Sequence, residues 1–282
     1  LSGSLDRDVE APQWAANGKE IYAFYADGGT TRLALFDLRG KRRDVAEGLG
    51  MGFSAYSAAP TYTVARDGSF ALQLNTLDSS GKIAVGVPGR PLRTITTLNQ
   101  PLFAQRTLGR VEPIHYKSSI DQLPIEGWIV YPPDFDPARK YPLILEIHGG
   151  PDASYGARFD MEKQVLAGAG YIVFYANPRG STAYGDHFVN LITNKFPGDE
   201  FYDLMSGVDA VIARGFIDPQ HLYVTGGSGG GTLTAQIIER SNRFRAAAVL
   251  YPVIDFRSQA LTSDILPLIF RGFFHDTPWA DP

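Results

Sequence analysis

The 282-residue sequence contains no cysteine, which removes disulfides, thiolate nucleophiles and cysteine-based metal sites from consideration. It also lacks an excess of charge of either sign: 26 basic and 30 acidic residues leave a net charge of −4. That balance gives no electrostatic reason for nucleic acid or an anionic membrane to be a partner. Long hydrophobic runs are missing too. The longest, residues 143–147 and 246–250, fall far short of the ~20 apolar residues that a membrane-spanning helix needs, and they suit buried strands. The first ten residues, opening on Leu1, hold neither an initiator methionine nor a signal-peptide pattern. The expectation is a chain that begins inside a longer protein, with its compartment undefined. What is present is globular in character, with 44% hydrophobic and 20% charged residues, on a length that can bury a sizeable core.

Two textures follow one another along the chain. The first hundred residues read as short strands separated by turns. Asn17-Gly18, a pair suited to tight hairpins, leads into a β-prone run at 21–26. Gly28-Gly29 turns the chain into 33–38, and Arg39-Gly40 turns it again. A second copy has Asp67-Gly68, a run at 70–74, Ser80-Gly81, a run at 83–87 and Pro88-Gly89. Gly18 precedes Gly68, and Leu33 precedes Ile83, by the same interval of 50 positions. Several short strands in a unit of about fifty residues is the spacing of β-propeller blades. Two units do not close a ring that takes about four to eight blades, so earlier blades are expected to be missing; an ordinary β-meander is the plainer alternative.

From about residue 110 strands alternate with helices. Strands are expected at 127–131, 143–147, 171–176, 222–225 and 246–251, and helices at 161–169, 204–214 and 232–240. This alternation implies a mostly parallel sheet with helices on both faces. The boundary is placed at 105–112, giving a partial propeller over 1–107 and a second domain over 108–282, with Pro101 and Gly109 as linker punctuation.

The sharpest motif is Thr225-Gly226-Gly227-Ser228-Gly229-Gly230-Gly231, between an expected strand and an expected helix. It satisfies G-x-S-x-G, the nucleophile elbow of α/β-hydrolases. The serine must occupy a strained turn so that its hydroxyl points off the sheet, and Gly226 and Gly230 remove the Cβ atoms where strand and helix backbones crowd. The N–H of Gly229 then lies at a helix N-terminus, where a developing oxyanion is stabilised. A phosphate loop of Walker type would need Lys and Ser or Thr after the last glycine, whereas Gly231 is followed by Thr232-Leu233. Upstream, the apolar run at 143–147 leads into His148-Gly149-Gly150-Pro151. Such a loop supplies the second oxyanion donor in hydrolases of this fold, and Gly150 is the expected donor. His148 is expected to hold the loop, since the general base follows the serine in hydrolase order.

These two motifs, together with Asn177-Pro178-Arg179-Gly180-Ser181, Tyr184-Gly185, the segment from Gly198-Asp199 to Asp203-Leu204, and Gly215-Phe216-Ile217-Asp218-Pro219, resemble the prolyl oligopeptidase family of serine peptidases. The similarity is nearest to its acylaminoacyl-peptidase and dipeptidyl-peptidase-like branches, and it covers residues 110–275 through specific motifs and residues 1–105 through blade-like texture alone. It implies hydrolysis of short peptides without a cofactor, with a propeller restricting access to the site.

Arg179 is a candidate substrate contact, with bracing of the loop around the elbow as the plainer role. Tyr155 and Tyr184 are candidate pocket residues, with core packing as their alternative. Asp199, Glu200 and Asp203 read as a solvated helix start with carboxylates at the positive end of the dipole. Asp255 and Asp264 are expected on the loop after the last strand in a surface role, with substrate-side contact as the alternative. No His, Asp or Glu spacing makes a metal site. A serine hydroxyl needs a base and a carboxylate to orient it, in the order Ser, Asp or Glu, His. After Ser228 stand one histidine, His275, and four aspartates, Asp255, Asp264, Asp276 and Asp281. One helix and one strand after the elbow leave too little chain for both partners. The resemblance implies that they lie beyond residue 282, so the expectation is a fragment that is inactive by itself. Three functions stay open: a peptidase acting through Ser228, an esterase or other acyl hydrolase of the same fold, and a non-catalytic binding relative. Cleavage preference and oligomeric state are not legible.

Overall fold

A computed structural model describes residues 1–51, 61–150 and 153–264. It divides into two compact units, the first formed by Leu1–Leu108 with Ser154–Asp160 and Thr182–Asp186, the second by Gly109–Ala153, Met161–Ser181 and the described residues from His187 onward.

The first unit holds two four-stranded antiparallel sheets, each built in chain order. One is β1 (Val9–Trp14), β2 (Glu20–Asp27), β3 (Thr30–Asp37) and β4 (Arg42–Ala46); the other is β5 (Tyr62–Val64), β6 (Phe70–Thr76), β7 (Ser79–Gly86) and β8 (Arg93–Thr94). Strand alternation sends successive side chains to opposite faces. On β2 this puts Tyr22 and Phe24 into a core shared with Tyr62, Phe70 and Leu72 of the second sheet, while Ala23 and Tyr25 pack with Ala34 and Phe36 on the other face. The Tyr62 hydroxyl donates to Tyr22 O at 2.9 Å, so this buried polar group is satisfied. A single turn, α1 (Gln100–Phe103), leads out. The later segments join this unit through backbone bonds from Met51 N to Ala157 O, 3.1 Å, and from Gly28 N to Ala183 O, 3.0 Å.

The second unit is a six-stranded sheet built from β9 (Val111–Lys117), β10 (Pro124–Val130), β11 (Tyr141–Ile147), β12 (Ile172–Asn177), β13 (Ile217–Gly227) and β14 (Ala246–Leu250). Its order is β14-β13-β11-β12-β10-β9. The four strands from β14 to β12 run parallel, whereas β10 runs antiparallel to both of its neighbours, β12 and β9. The helices are α2 (Met161–Gly168), α3 (Asp186–Asn190), α4 (Glu200–Ile212), α5 (Gly229–Arg240) and α6 (Phe256–Thr262). Every residue of β12 is buried, as a strand covered on both faces demands. Helix α4 presents Leu204, Val208 and Val211, all fully buried, at the i, i+4, i+7 spacing of one helical face. At Gly207 a side chain would collide with the Phe174 ring and the Tyr116 hydroxyl, so glycine sets the close approach of α4 to the sheet.

The parallel part of the sheet corresponds to the expected runs. Strand β9 was not expected: Val-Glu-Pro-Ile-His-Tyr-Lys is polar and carries Pro113, and the strand survives at the sheet edge with Ile114 as its buried anchor. The order of the parallel strands reverses around β11, which pairs with the later β12 on one side and with β13 on the other. Crevices for ligands open outside the carboxyl ends of strands at such a reversal. There lie the residues after Ile147 and after Gly227.

Candidate active site

Ser228 follows β13 directly and caps α5 with φ 57° and ψ −121°. For a residue with a Cβ this is a sparsely populated conformation that persists only when its surroundings impose it. Its N–H bonds to Leu250 O of β14 at 3.1 Å, and its carbonyl accepts the Thr232 N–H at 3.0 Å, the first turn of α5. The turn is closed by backbone crowding. A Cβ on Gly226 would stand 2.5 Å from Gly230 O, and one on Gly230 would stand 2.2 Å from Ile147 O. Tyr251, itself at φ 36°, fills the space that a side chain on Gly227 would need. Ser228 is half-buried, and among the described residues its hydroxyl has no hydrogen-bond partner.

The 148–150 loop leaves β11 beside this turn. The Cβ position of Gly229 lies 2.9 Å from Gly150 N, so the structure brings the backbones of these two residues into contact. His148 is held at both ring nitrogens, by Gly149 O at 2.6 Å and by Ser181 Oγ at 3.0 Å. The Ser181 hydroxyl also donates to Pro178 O at 2.6 Å, tying this loop to the one after β12. Pro151 and His275 lie outside the described residues.

Arg179 is 5% exposed. Its Nε and Nη2 donate to the two oxygens of Asp203 at 2.9 and 2.8 Å, and its backbone N–H donates to the same carboxylate at 2.9 Å. Asp121, Ser118 and Asp199 complete the surroundings. The Asp203 bonds push the guanidinium pKa further up, so Arg179 is a fixed cation. Tyr155, buried, and Tyr184, half-buried, belong to the first unit. Asp255 caps α6 by accepting from the N–H groups of Arg257 and Ser258, and Asp264 is exposed.

The acidic cluster departs from its expected solvated state. Glu200 is 1% exposed and Asp203 fully buried. Asp203 is there as the partner of Arg179. Glu200 accepts the Gly198 N–H on Oε2 at 2.8 Å, while Oε1 is buried with no partner among the described residues. Glu200 lines a cavity of about 30 Å³ together with His148, Gly149, Gly150 and Gly229. Desolvation raises its pKa from the ordinary 4.5 to about 7, against the lowering influence of the Glu200 and Gly198 N–H groups. A carboxyl with a raised folded pKa binds its proton more tightly when folded. As pH rises above 4.5 the unfolded chain ionises while the folded chain does not, so stability falls between pH 4.5 and about 7 and levels off above. The expected loss is about 3 kcal/mol. Glu200→Gln should flatten this slope in urea denaturation followed from pH 4 to 8; an unchanged slope would assign it to other groups. Nothing in the sequence marks Glu200 beyond its place two positions after a glycine at a helix start.

Among the described residues no helix is long and apolar enough to cross a membrane, and no His, Asp or Glu group is arranged to hold a metal ion.

Residues 157–282 match the family model described as "Prolyl oligopeptidase family". The chain is 32% identical over 272 residues to "Uncharacterized peptidase YuxL" of Bacillus subtilis (strain 168), covering 96% of this chain and 39% of that protein. It is 31% identical over 236 residues to "Dipeptidyl-peptidase 5" of Trichophyton schoenleinii, covering 82% of this chain and 32% of the relative. The chain thus spans well under half the length of either curated relative. Among solved structures, the Pyrococcus horikoshii acylaminoacyl peptidase superposes with a TM-score of 0.84 at 24% identity, over 96% of this chain and 42% of its own. A Mycobacterium tuberculosis puromycin-hydrolyzing peptidase gives 0.75 at 18% identity, over 92% and 40%. These likenesses give the second unit the α/β-hydrolase fold, with β13, Ser228 and α5 as its strand–turn–helix elbow. By its sequence matches and its fold, the chain belongs to the prolyl oligopeptidase family.

Proposed function

We propose that the chain contributes the nucleophile and oxyanion hole of a serine-type peptidase that cleaves short peptides through an acyl-enzyme on Ser228. The observation that carries this reading is the backbone at Ser228, a side-chain-bearing residue held at positive φ between β13 and the N-terminus of α5, with Gly150 N against Gly229. In this reading Ser228 Oγ attacks the scissile carbonyl and its proton passes to a general base. The carbonyl oxygen, now negative, sits between the N–H groups of Gly150 and Gly229 at the positive end of α5. Collapse of that intermediate expels the amine with the proton, and water then releases the acyl group by the same steps in reverse.

His148 is not assigned as the base, because Ser181 and Gly149 hold both of its ring nitrogens. No described histidine bonds the Ser228 hydroxyl. We assign residues 1–107 as two blades of a β-propeller and 108–282 as the hydrolase domain. The support for the blades is that each sheet of the first unit is a four-stranded antiparallel meander.

A fluorophosphonate probe applied to the natural protein should label Ser228, and aminoacyl-naphthylamides as well as p-nitrophenyl esters should be turned over. Labelling of a different serine would overturn the nucleophile assignment. Turnover confined to esters would replace the peptidase reading with an esterase on the same elbow.

A further inference from the structure

We propose that His148 is a positioning residue that holds the Gly149–Gly150 peptide as an imidazolium, with a proton on each ring nitrogen. The inference rests on the reading of Gly150 as an oxyanion donor and goes beyond it, since it assigns a charge and a task to a side chain outside the triad.

Proton counting carries the assignment. His148 Nδ1 lies 2.6 Å from Gly149 O, and His148 Nε2 lies 3.0 Å from Ser181 Oγ. The Ser181 hydroxyl in turn donates to Pro178 O at 2.6 Å. Both ends of this chain are backbone carbonyls, which only accept. A serine hydroxyl has one proton to give, and Pro178 O takes it. Ser181 Oγ therefore accepts from Nε2–H, and Gly149 O accepts from Nδ1–H. Three bonds need three protons, so the ring carries two. A neutral imidazole has one. It would turn a lone pair toward one of these oxygens at 2.6–3.0 Å and leave that contact repulsive.

The ring grips the peptide on which the oxyanion site depends. Gly149 O and Gly150 N belong to one planar trans peptide group, whose C=O and N–H point in opposite directions. Holding the oxygen therefore fixes the line along which the Gly150 N–H points. Packing does not do this at Gly150, where a Cβ would meet nothing within 4 Å and where glycine leaves the backbone free to turn. Through Nε2 and Ser181 the ring is itself tied to the loop after β12. A charged donor makes bonds roughly twice as strong as a neutral one, and it adds positive charge to the segment that would receive the oxyanion. Glu200 of α4 and Arg179 of the loop after β12 line a cavity of about 30 Å³ together with His148. The arginine opposes the imidazolium but is answered by Asp203, Asp121 and Asp199, and Glu200 favours the imidazolium when ionised. The rest of the described lining carries no charge.

Neutron diffraction from crystals of the natural protein, exchanged into heavy water at about pD 8, tests the charge directly, because an unperturbed imidazole is mostly neutral there. Deuterium on both Nδ1 and Nε2 of His148 is the expected result. Deuterium on one nitrogen alone would overturn the proposal. Kinetics with an aminoacyl-naphthylamide test the task. His148→Gln cannot donate from two opposed ring positions, so it should lower kcat by about 10–100-fold with KM nearly unchanged, approaching the cost of losing one oxyanion donor. It should also abolish the fall in kcat that the wild type shows when His148 loses a proton at alkaline pH. Wild-type kcat and pH profile in a variant that melts normally would sink the positioning role. Ser181→Ala supplies a second check should His148→Gln fail to fold. With the Nε2 acceptor gone, a neutral ring can hold Gly149 O through Nδ1–H, so the alkaline fall should disappear there too, and its persistence would overturn the proposal. Fluorophosphonate labelling separates these results from failure of the peptidase reading. Wild-type protein unlabelled at Ser228 would sink that reading, whereas the neutron result decides the charge of His148 whatever the activity.

Discussion

Replacing Ser228 by alanine in the natural protein should lower kcat for peptide hydrolysis by about 10⁶-fold without unfolding it. The size follows from how a triad works: nucleophile and base act as a unit, so loss of either forfeits nearly all of their joint contribution. In the proposed mechanism, what survives is the stabilisation of an oxyanion by the Gly150 and Gly229 N–H groups, for attack by water rather than by Oγ. The fold should tolerate the change because the hydroxyl is not used structurally. Among the described residues it bonds nothing, and the bonds that fix the turn run through the Ser228 backbone to Leu250 and Thr232. Alanine can reproduce those bonds at the strained φ of 57°, where its Cβ meets the same steric limits as that of serine. Steady-state kinetics beside a thermal melt decide the matter. A variant with ordinary turnover places the nucleophile elsewhere. One that loses activity together with its melting transition shows instead that the hydroxyl was holding the turn.

Which features were legible depended on whether their cause is local. The strand–turn–helix at Ser228 was readable because the turn crowds Gly226 against Gly230, and Gly230 against Ile147 of the neighbouring strand, so the glycines that relieve the crowding stand together in the sequence. Strand β12 was readable because burial on both faces requires an unbroken apolar run. Strand β9 was not, because an edge strand needs only one buried residue, here Ile114, and tolerates Pro113. The acidic start of α4 was misread for a deeper reason. Carboxylates at a helix N-terminus are stabilised by the dipole in solvent, and the same residues serve equally when a cation reaches them from outside the helix. Arg179 stands 24 positions before Asp203, and no periodicity links the two. Glu200 is further from view still, since it lines a cavity made by four separate segments.

That ion pair gives the largest stability effect expected. Asp203→Ala should destabilise the folded protein by about 3–5 kcal/mol, the range for removing one partner of a buried pair. Arg179 would keep its charge at every accessible pH in a site where it is 5% exposed, and it would lose two side-chain bonds and a backbone bond at once. Asp121 and Asp199 cannot take over. Their side chains are 43% and 45% exposed, and they approach the guanidinium at 3.2 and 3.7 Å, a range and exposure at which ion pairs are worth about 1 kcal/mol or less. Removing both charges with Arg179→Met and Asp203→Leu should recover much of the loss, because the desolvation of two ions then disappears together with their attraction. Urea denaturation of Arg179→Met, Asp203→Leu and the double variant closes the cycle. Strongly non-additive losses are the expected outcome. Additive losses, or a cost below about 1 kcal/mol for Asp203→Ala, would mean that solvent reaches Arg179 and that the loop after β12 is braced by something else.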